Sequence, residues 1–239
     1  MTRQHTVKAF EQELHLLDKR ITQMGGLAED HLAKAIEALE RRDPKLAAEV
    51  VAGDALIDQL ERDLQEQSIV MIAKRQPLAD DLRHIMTVLK IAGDLERIGD
   101  LAKNMAKRAL AISGENHPKP LMTGLKNMTE LALRQLKDVL DAYSERQADK
   151  ALAVWRADEQ IDAMYNSLFR ELLTYMMEDP RNIGLCTHLL FGAKNIERIG
   201  DHTTNIAENV HFLVHGQPVM DVRPKSDETS STLITAEEP

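Results

Sequence analysis

Acidic side chains spaced four residues apart recur along this 239-residue sequence. Residues four apart lie on the same face of an α-helix, so each pair would present two carboxylates together. Carboxylate oxygens are the ligands that hard or intermediate cations such as magnesium, manganese and iron prefer. The pairs are Asp54 with Asp58, Glu96 with Asp100, Asp158 with Asp162, and Glu197 with Asp201. Their spacing therefore predicts candidate divalent-metal sites.

Two of these pairs belong to one duplicated segment. Residues 96–104 read ERIGDLAKN and residues 197–205 read ERIGDHTTN, so the first five residues are identical and Asn104 matches Asn205. An identity that recurs at about half the chain length indicates a duplicated unit. The aspartate pairs recur with a similar offset. The two asparagines, one turn beyond each acidic pair, are candidate additional metal ligands.

The spacing of apolar residues predicts six long helices. Asp43-Pro44 is a typical helix start, Pro77 and Pro180 end helices, and Gly25-Gly26 marks a kink or a close helix crossing. The stretch from Ser113 to Pro120 is rich in turn-forming residues and predicts a linker. The expected helices cover residues 5–42, 44–75, 79–112, 121–146, 148–177 and 183–215.

This order predicts an all-α protein built from two tandem, pseudo-symmetric, antiparallel three-helix bundles. The first bundle is expected at residues 5–113 and the second at residues 121–215. From Gly216 onward the sequence is polar, acidic and rich in Ser, Thr and Pro, so residues 216–239 are expected to be a disordered tail.

Composition limits the function classes. A net charge of −9 argues against non-specific nucleic-acid binding, which needs a cationic surface. No apolar run approaches the roughly 20 residues that span a bilayer, so no direct membrane insertion is expected. The one cysteine excludes an intramolecular disulfide and fits a reducing cytoplasm.

The helical period also predicts where the acids lie. With Leu95 at the centre of the packed face, Glu96, Asp100 and Asn104 lie progressively further toward the surface. The second and third helices of each bundle would then bring two acidic pairs into one surface cluster. Gly99 lies beside the packed face, as does its counterpart Gly200, and is expected to let a neighbouring helix approach closely.

Ordinary solvated acidic pairs are the alternative, since such pairs repel by only a few tenths of a kcal/mol. In the first repeat, Arg97 and Lys103 would screen Asp100. The second repeat has no lysine at the corresponding place, so Glu197 and Asp201 are expected to be under-compensated, which favours a ligand role.

The duplicated acidic segments resemble the signature of the PhoU family of phosphate-signalling proteins. Residues 73–77 (AKRQP), 81–83 (DLR) and 174–179 (TYMMED) are further stretches typical of that family. The resemblance covers roughly residues 5–215. It implies that the carboxylate pairs hold multinuclear iron or other divalent clusters, with manganese, magnesium and zinc as the other candidate metals.

The resemblance also implies a function without catalysis. Such a protein is expected to be a cytoplasmic negative regulator of the phosphate-starvation response. It would bridge the ATPase subunit of the phosphate ABC transporter to a membrane sensor histidine kinase, at the inner face of the membrane. The family resemblance further implies a homodimer.

A ferritin-like di-metal oxidase or a metal-storage protein is the competing hypothesis. That chemistry places Glu-x-x-His pairs on two helices, pointing into one bundle. Glu208 with His211 is a single match, and Asp81 with His84 is a weaker one. Neither recurs at the matched place in the other repeat, so an enzyme is not expected.

Overall fold

The computed structural model of the chain describes residues 2–115, 118–221 and 223, with side chains from residue 9 onward. All regular structure in these residues is helical, which confirms the predicted all-α fold of two antiparallel three-helix bundles. No helix in the described part combines the length and apolar character needed to cross a bilayer. The helices are α1 (Thr2–Arg41), α2 (Pro44–Arg75), α3 (Ala79–Ala111), α4 (Lys119–Glu145), α5 (Ala148–Arg156), α6 (Asp158–Glu178) and α7 (Ile183–His215), with a 3-10 turn at Pro180–Asn182.

Local sequence fixes the ends of α2. The side chain of Asp43 accepts hydrogen bonds from the backbone N–H groups of Lys45, at 2.9 Å, and Leu46, at 3.1 Å. These bonds satisfy two of the donors that a helix start leaves without partners. The helix ends at Gln76, which has a left-handed backbone with a φ of 49°, directly before Pro77. The predicted start and stop signals are thus confirmed.

The fifth predicted helix is divided, and a continuous helix over 148–177 is wrong. α5 ends at Arg156 and α6 begins at Asp158. Gln135 of α4 donates a hydrogen bond from its Nε2 to the carbonyl oxygen of Ala157, at 2.9 Å. A side chain that replaces a backbone hydrogen bond of a helix in this way is a recognised cause of a sharp bend in that helix. The break makes Asp158 the first residue of α6.

Glycines set the closest helix contacts inside each bundle. A Cβ atom added at Gly99 would lie 2.8 Å from Cδ1 of Ile57, and one at Gly200 would lie 2.9 Å from Cδ1 of Ile161. Such distances are below ordinary contact, so α2 meets α3, and α6 meets α7, only because these positions have no side chain. The expected close approach is confirmed in both repeats.

The two bundles pack through corresponding helices. Along α3 and α7, Arg83 lies over the ring of Phe212 and Arg108 lies over the ring of Phe191. The start of α3 therefore meets the end of α7, and the two helices run antiparallel. The helices α1 and α4 also run antiparallel, since Asp18 contacts Tyr143 and Glu40 contacts Lys126. Gly25 lets α1 cross closely against Leu140 without interrupting the helix. Such a pairing of equivalent elements produces a pseudo-twofold axis between the bundles.

A polar network at Asp18 also joins the bundles. Its Oδ1 accepts a hydrogen bond from the hydroxyl of Tyr143 and lies 2.7 Å from Nε2 of His84. Arg146 of the second bundle donates to Oδ2 at 3.3 Å. These contacts fix the register of α4 against α1 and α3.

After α7 the chain reverses at Gly216, whose φ of 72° suits glycine. The carbonyl of Gln217 accepts a hydrogen bond from the ring of His211, at 3.1 Å, and Val219 packs against the core. Arg223 lies in ion-pair contact with α6 and α7. The rest of the predicted tail, residues 222 and 224–239, lies outside the described residues.

Candidate carboxylate site

The first carboxylate cluster consists of Asp54 and Asp58 on α2 and Glu96 and Asp100 on α3. Asp54 is buried, with 3% of its surface exposed, and the other three are partly buried. The ammonium of Lys103 hydrogen-bonds to Oδ2 of Asp54 and lies 2.6 Å from Oδ1 of Asp100. Burial alone would lower the pKa of Lys103, but the hydrogen bonds with Asp100 and Asp54 raise it well above its usual value. The ammonium of Lys103 therefore joins a carboxylate of α2 to a carboxylate of α3.

The second carboxylate cluster consists of Asp158 and Asp162 on α6 and Glu197 and Asp201 on α7. Asp158, Asp162 and Glu197 are buried. Here the cation is Arg223, whose Nε lies 2.9 Å from Oδ2 of Asp158 and whose Nη2 lies 2.7 Å from Oδ1 of Asp201. Burial raises the pKa of Asp158, and its contacts with Arg223 only partly oppose this.

The two clusters share a plan but take their cations from different places. Thr204 occupies the position in α7 that Lys103 occupies in α3, and its hydroxyl donates to Oδ1 of Asp158 at 3.1 Å. The sequence predicted that Glu197 and Asp201 would lack compensation because no lysine is present. That prediction is wrong, because Arg223 reaches back to the cluster and Lys194 lies 3.0 Å from Glu197.

The expectation that these acids lie on the surface is also wrong for four of the eight. Asp54 and Asp158 lie in the groove where the helices meet at the two glycines: a Cβ atom at Gly99 would lie 3.4 Å from Oδ1 of Asp54, and one at Gly200 would lie 3.6 Å from Oδ1 of Asp158. A carboxylate that is removed from water is tolerated when it is paired and hydrogen-bonded. The four buried residues are Asp54, Asp158, Asp162 and Glu197.

Asn205 hydrogen-bonds to an aspartate outside the two carboxylate clusters. Asn205 donates from its Nδ2 to Oδ1 of Asp94, at 3.3 Å, and Nδ1 of His202 lies 2.9 Å from the same oxygen. These contacts cross from α7 to α3. Asn104, expected at the surface, is partly buried. The sequence prediction assumed that α3 has one packed face. In the structure α3 buries a second face, which includes Leu101, against the other bundle, so the side that carries Asn104 is partly covered.

Negative charge accumulates in the first cluster. Burial raises the pKa of Glu96, and the negative charges of Asp100, Asp58 and Glu61 raise it further. Arg97 opposes this shift from a largely exposed position, with its Nε 3.5 Å from the Glu96 carboxylate. A bound cation would relieve this repulsion.

The donor chemistry fits a divalent cation. As the side chains stand, no three His, Cys, Asp or Glu residues in the described ranges are grouped closely enough to hold a metal. In each cluster, however, a charged side chain lies between carboxylates from two helices, where a shared ion would bind. Oδ1 of Asp54 is buried and has no hydrogen-bond partner among the described residues, so a donor oxygen is available. The all-oxygen set suits Mg, Mn or Fe once Lys103 or Arg223 moves aside.

The residues of the ferritin-like hypothesis are engaged elsewhere. Glu208 accepts a hydrogen bond from Nε1 of Trp155, at 3.0 Å, and His211 contacts the Gln217 carbonyl. His84 belongs to the Asp18 network between the bundles. Among the described residues, these side chains do not converge on one bundle interior.

Sequence reasoning missed Arg223. Its nearest partner on α7 is 22 residues earlier, and a single arginine in a polar tail carries no local pattern. The one signal available was indirect. The second repeat has Thr204 where the first has Lys103, so the second cluster needed a cation from another part of the chain.

Comparison with known proteins agrees with the duplicated architecture. The PhoU domain family matches residues 21–109 and 125–210, one stretch inside each bundle. The chain is 54% identical to the phosphate-specific transport system accessory protein PhoU homolog of Rhizobium meliloti, over 97% of this chain and 98% of the relative. It is 50% identical to the homolog of the same name from Caulobacter vibrioides, over 94% of this chain and 97% of that protein.

Solved structures agree as well. The crystal structure of PhoU from Pseudomonas aeruginosa matches 87% of this chain and all of its own, with a TM-score of 0.84 and 38% identity. The PhoU structure from Streptococcus pneumoniae matches 89% of this chain and all of its own, with a TM-score of 0.81 and 30% identity. The chain therefore belongs to the PhoU family.

Proposed function

We propose that this protein is a cytoplasmic adaptor that represses the phosphate-starvation response and restrains phosphate uptake when phosphate is plentiful. In this role it binds the ATPase subunit of the phosphate ABC transporter and a membrane sensor histidine kinase, and so lies at the inner face of the membrane. The observation that carries the proposal is the match, over nearly the whole chain, to relatives named as accessory proteins of the phosphate-specific transport system.

The distribution of exposed apolar residues supports a bridging role. Leu78, at the turn between α2 and α3, is 79% exposed, and Met177, near the turn between α6 and α7, is 68% exposed. Leu82 on α3 and Ile183 on α7 are exposed beside them. Grouped exposed apolar residues are typical of protein-interaction sites.

These two turns lie at opposite ends of the molecule, because α3 and α7 run antiparallel. α3 has 33 residues, which corresponds to a length of about 50 Å. Two equivalent apolar ends at this separation suit a protein that contacts two partners at once. We infer that one end binds the transporter subunit and the other binds the kinase.

The test combines capture and repression. Leu78→Asp and Met177→Asp each place a charge at one end, and Leu56→Asp does the same at an exposed apolar position on α2 away from both turns. In a strain that lacks the native gene, we expect each end variant to lose one of the two partners and to derepress a phosphate-regulated reporter in phosphate-rich medium. Leu56→Asp should retain both partners. Full repression and full capture by both end variants would contradict the assignment of the docking ends.

We also propose that the two carboxylate clusters bind divalent cations, with iron, manganese, magnesium and zinc as the candidates, and that this binding contributes to regulation. The cation-centred pairing of acids in both repeats supports this. Glu197→Gln combined with Asp201→Asn keeps side-chain size while removing two charges. We expect repression to be lost while the helical circular dichroism signal stays intact; unimpaired repression would separate metal binding from regulation.

The family resemblance implies a homodimer as the functional unit. Sedimentation equilibrium of the full chain, with and without added cation, measures this directly. A mass near 54 kDa, about twice the 26.9 kDa of one chain, is the expected result.

A further inference from the structure

We propose that Arg223 is a removable counter-ion of the second carboxylate cluster, which a divalent cation must displace before it can bind Asp158 and Asp201. The first cluster has no equivalent dependence on the C-terminal segment, because its cation belongs to α3. This inference rests on the proposed cation binding and makes the two clusters unequal in their access to metal.

The contacts of Arg223 place its charge where a shared ion would bind. Its guanidinium bridges one carboxylate from α6 and one from α7, at 2.7 to 2.9 Å. Lys103 bridges the equivalent residues, Asp54 and Asp100, in the first repeat. Two unrelated parts of the sequence thus supply a cation to the same place in the duplicated unit.

The repeat comparison explains why the second cluster needs an external cation. Thr204 stands where the first repeat has Lys103, and a hydroxyl hydrogen-bonds to Asp158 without neutralising it. Asp158 has only 2% of its surface exposed, so its charge requires a nearby positive group. Within the described residues, Arg223 supplies that group to Asp158 and Asp201 together.

The path of the chain makes this cation easier to remove than Lys103. Residues 217–221 contain no helix or strand and return along α7 from Gly216. The return from Gly216 covers about 21 Å, the length of the helix from Asp201 to His215, and residues 217–221 have no regular structure that would hold it. A segment without regular structure that is held at a few points opens locally at low cost, whereas α3 belongs to the core.

Binding of Mn²⁺ to the metal-free full chain tests the proposal. The variant is Arg223→Ala. Arg181→Ala is its control, because it removes the same charge from an exposed arginine that pairs with Asp179 at the far end of α7. A third protein combines Arg223→Ala with Asp201→Asn. Free Mn²⁺ is measured by electron paramagnetic resonance, and hydrogen exchange of residues 217–221 is followed by mass spectrometry.

We expect Arg223→Ala to bind Mn²⁺ about 10- to 100-fold more tightly at one site, the range that one or two charge-assisted hydrogen bonds are worth. The added Asp201→Asn change should remove that gain, and Arg181→Ala should bind like the unmodified chain. Saturating Mn²⁺ should also accelerate amide exchange at residues 217–221 of the unmodified chain, because the cation releases Arg223.

Failure of this inference is distinguishable from failure of cation binding itself. If the unmodified chain binds Mn²⁺ and Arg223→Ala gives the same isotherm, the counter-ion role is wrong and cation binding stands. Tight binding that leaves exchange at residues 217–221 unchanged overturns the displacement in the same way. If no protein of the set binds Mn²⁺, the proposed cation binding is wrong and this inference fails with it.

Discussion

Replacing Lys103 by methionine removes the cation of the first carboxylate cluster while keeping most of the side-chain stem. Asp54 then stays buried without its charged partner, and Asp100 loses a hydrogen bond. We expect Lys103→Met to be less stable than the unmodified chain in metal-free solution. Because a divalent cation could then bind between the same carboxylates, we also expect Mn²⁺ to stabilise the variant more strongly than the unmodified chain.

The expected loss follows from the burial of the pair. Truncating one partner of a fully buried ion pair costs about 3–5 kcal/mol, whereas an exposed pair contributes at most about 1 kcal/mol. The side chain of Asp54 is 4% exposed and that of Lys103 is 21% exposed, so the pair lies between these limits. We expect a loss of about 2 kcal/mol, equivalent to a fall in melting temperature of about 4–8 °C for a chain of this size. Mn²⁺ at one hundred times its dissociation constant would raise the free energy of unfolding of the variant by about 2.7 kcal/mol.

Urea unfolding followed by circular dichroism, with and without Mn²⁺, measures both effects. Trp155, the single tryptophan of the chain, is buried in the second bundle, so its fluorescence reports whether that bundle unfolds in the same transition. The control is Lys107→Met, an exposed position on the same helix. It should change stability by less than about 0.5 kcal/mol.

Two results would contradict the proposed role of Lys103 as the cation of the first cluster. If Lys103→Met unfolds like Lys107→Met in metal-free solution, the lysine does not compensate the buried aspartate. If Mn²⁺ stabilises the variant and the unmodified chain equally, Lys103 does not occupy the place of the cation.

Other substitutions test the packing and the junction between the bundles. Gly99→Ala should destabilise the protein by about 1–3 kcal/mol in urea unfolding, because the new methyl group overlaps Ile57; Gly93→Ala, on the same helix with open space around it, should be neutral or stabilising by up to about 1 kcal/mol, and equal effects would contradict the close contact. Asp18→Asn should cost about 1–2 kcal/mol at pH 7. Burial alone would raise the pKa of Asp18, but hydrogen bonds with His84 and Tyr143 lower it below its usual value, so its contribution is present above about pH 4 and is lost as the pH falls through the lowered value. A stability difference that stays constant from pH 7 to pH 3 would be inconsistent with that sign.

Most of the fold was predictable because its signals are local. Apolar periodicity gave the helices, the cap at Asp43 and the prolines gave their ends, and the repeated acidic segment gave the two bundles. The division at Ala157 was not predictable, because its cause is the side chain of Gln135, which lies on another helix. A periodic pattern describes a helix by itself and contains no information about such a partner.

The candidate site was predictable in its composition but not in its environment. The spacing of the acids identified the residues that share a cation across two helices, Asp54 with Asp100 and Asp158 with Asp201. The burial of Asp54 and Asp158 depends on the helix approach at Gly99 and Gly200, which the spacing does not encode. The sequence prediction also assumed that only one face of α3 is packed, so it placed the opposite face in solvent, although that face packs on α7. The contact of Arg223 depends on the reversal of the chain after α7, which no pattern within the tail encodes.

Affinity capture measures directly whether the proposed adaptor binds both the phosphate transporter and a membrane sensor. The tagged full chain is isolated from phosphate-replete cells with solubilised membranes, and a strong chelator is added to half of the samples. We predict recovery of a phosphate ABC transporter ATPase subunit and a sensor histidine kinase, with less of each in the chelator-treated samples. Absence of both proteins from every sample would contradict the adaptor function.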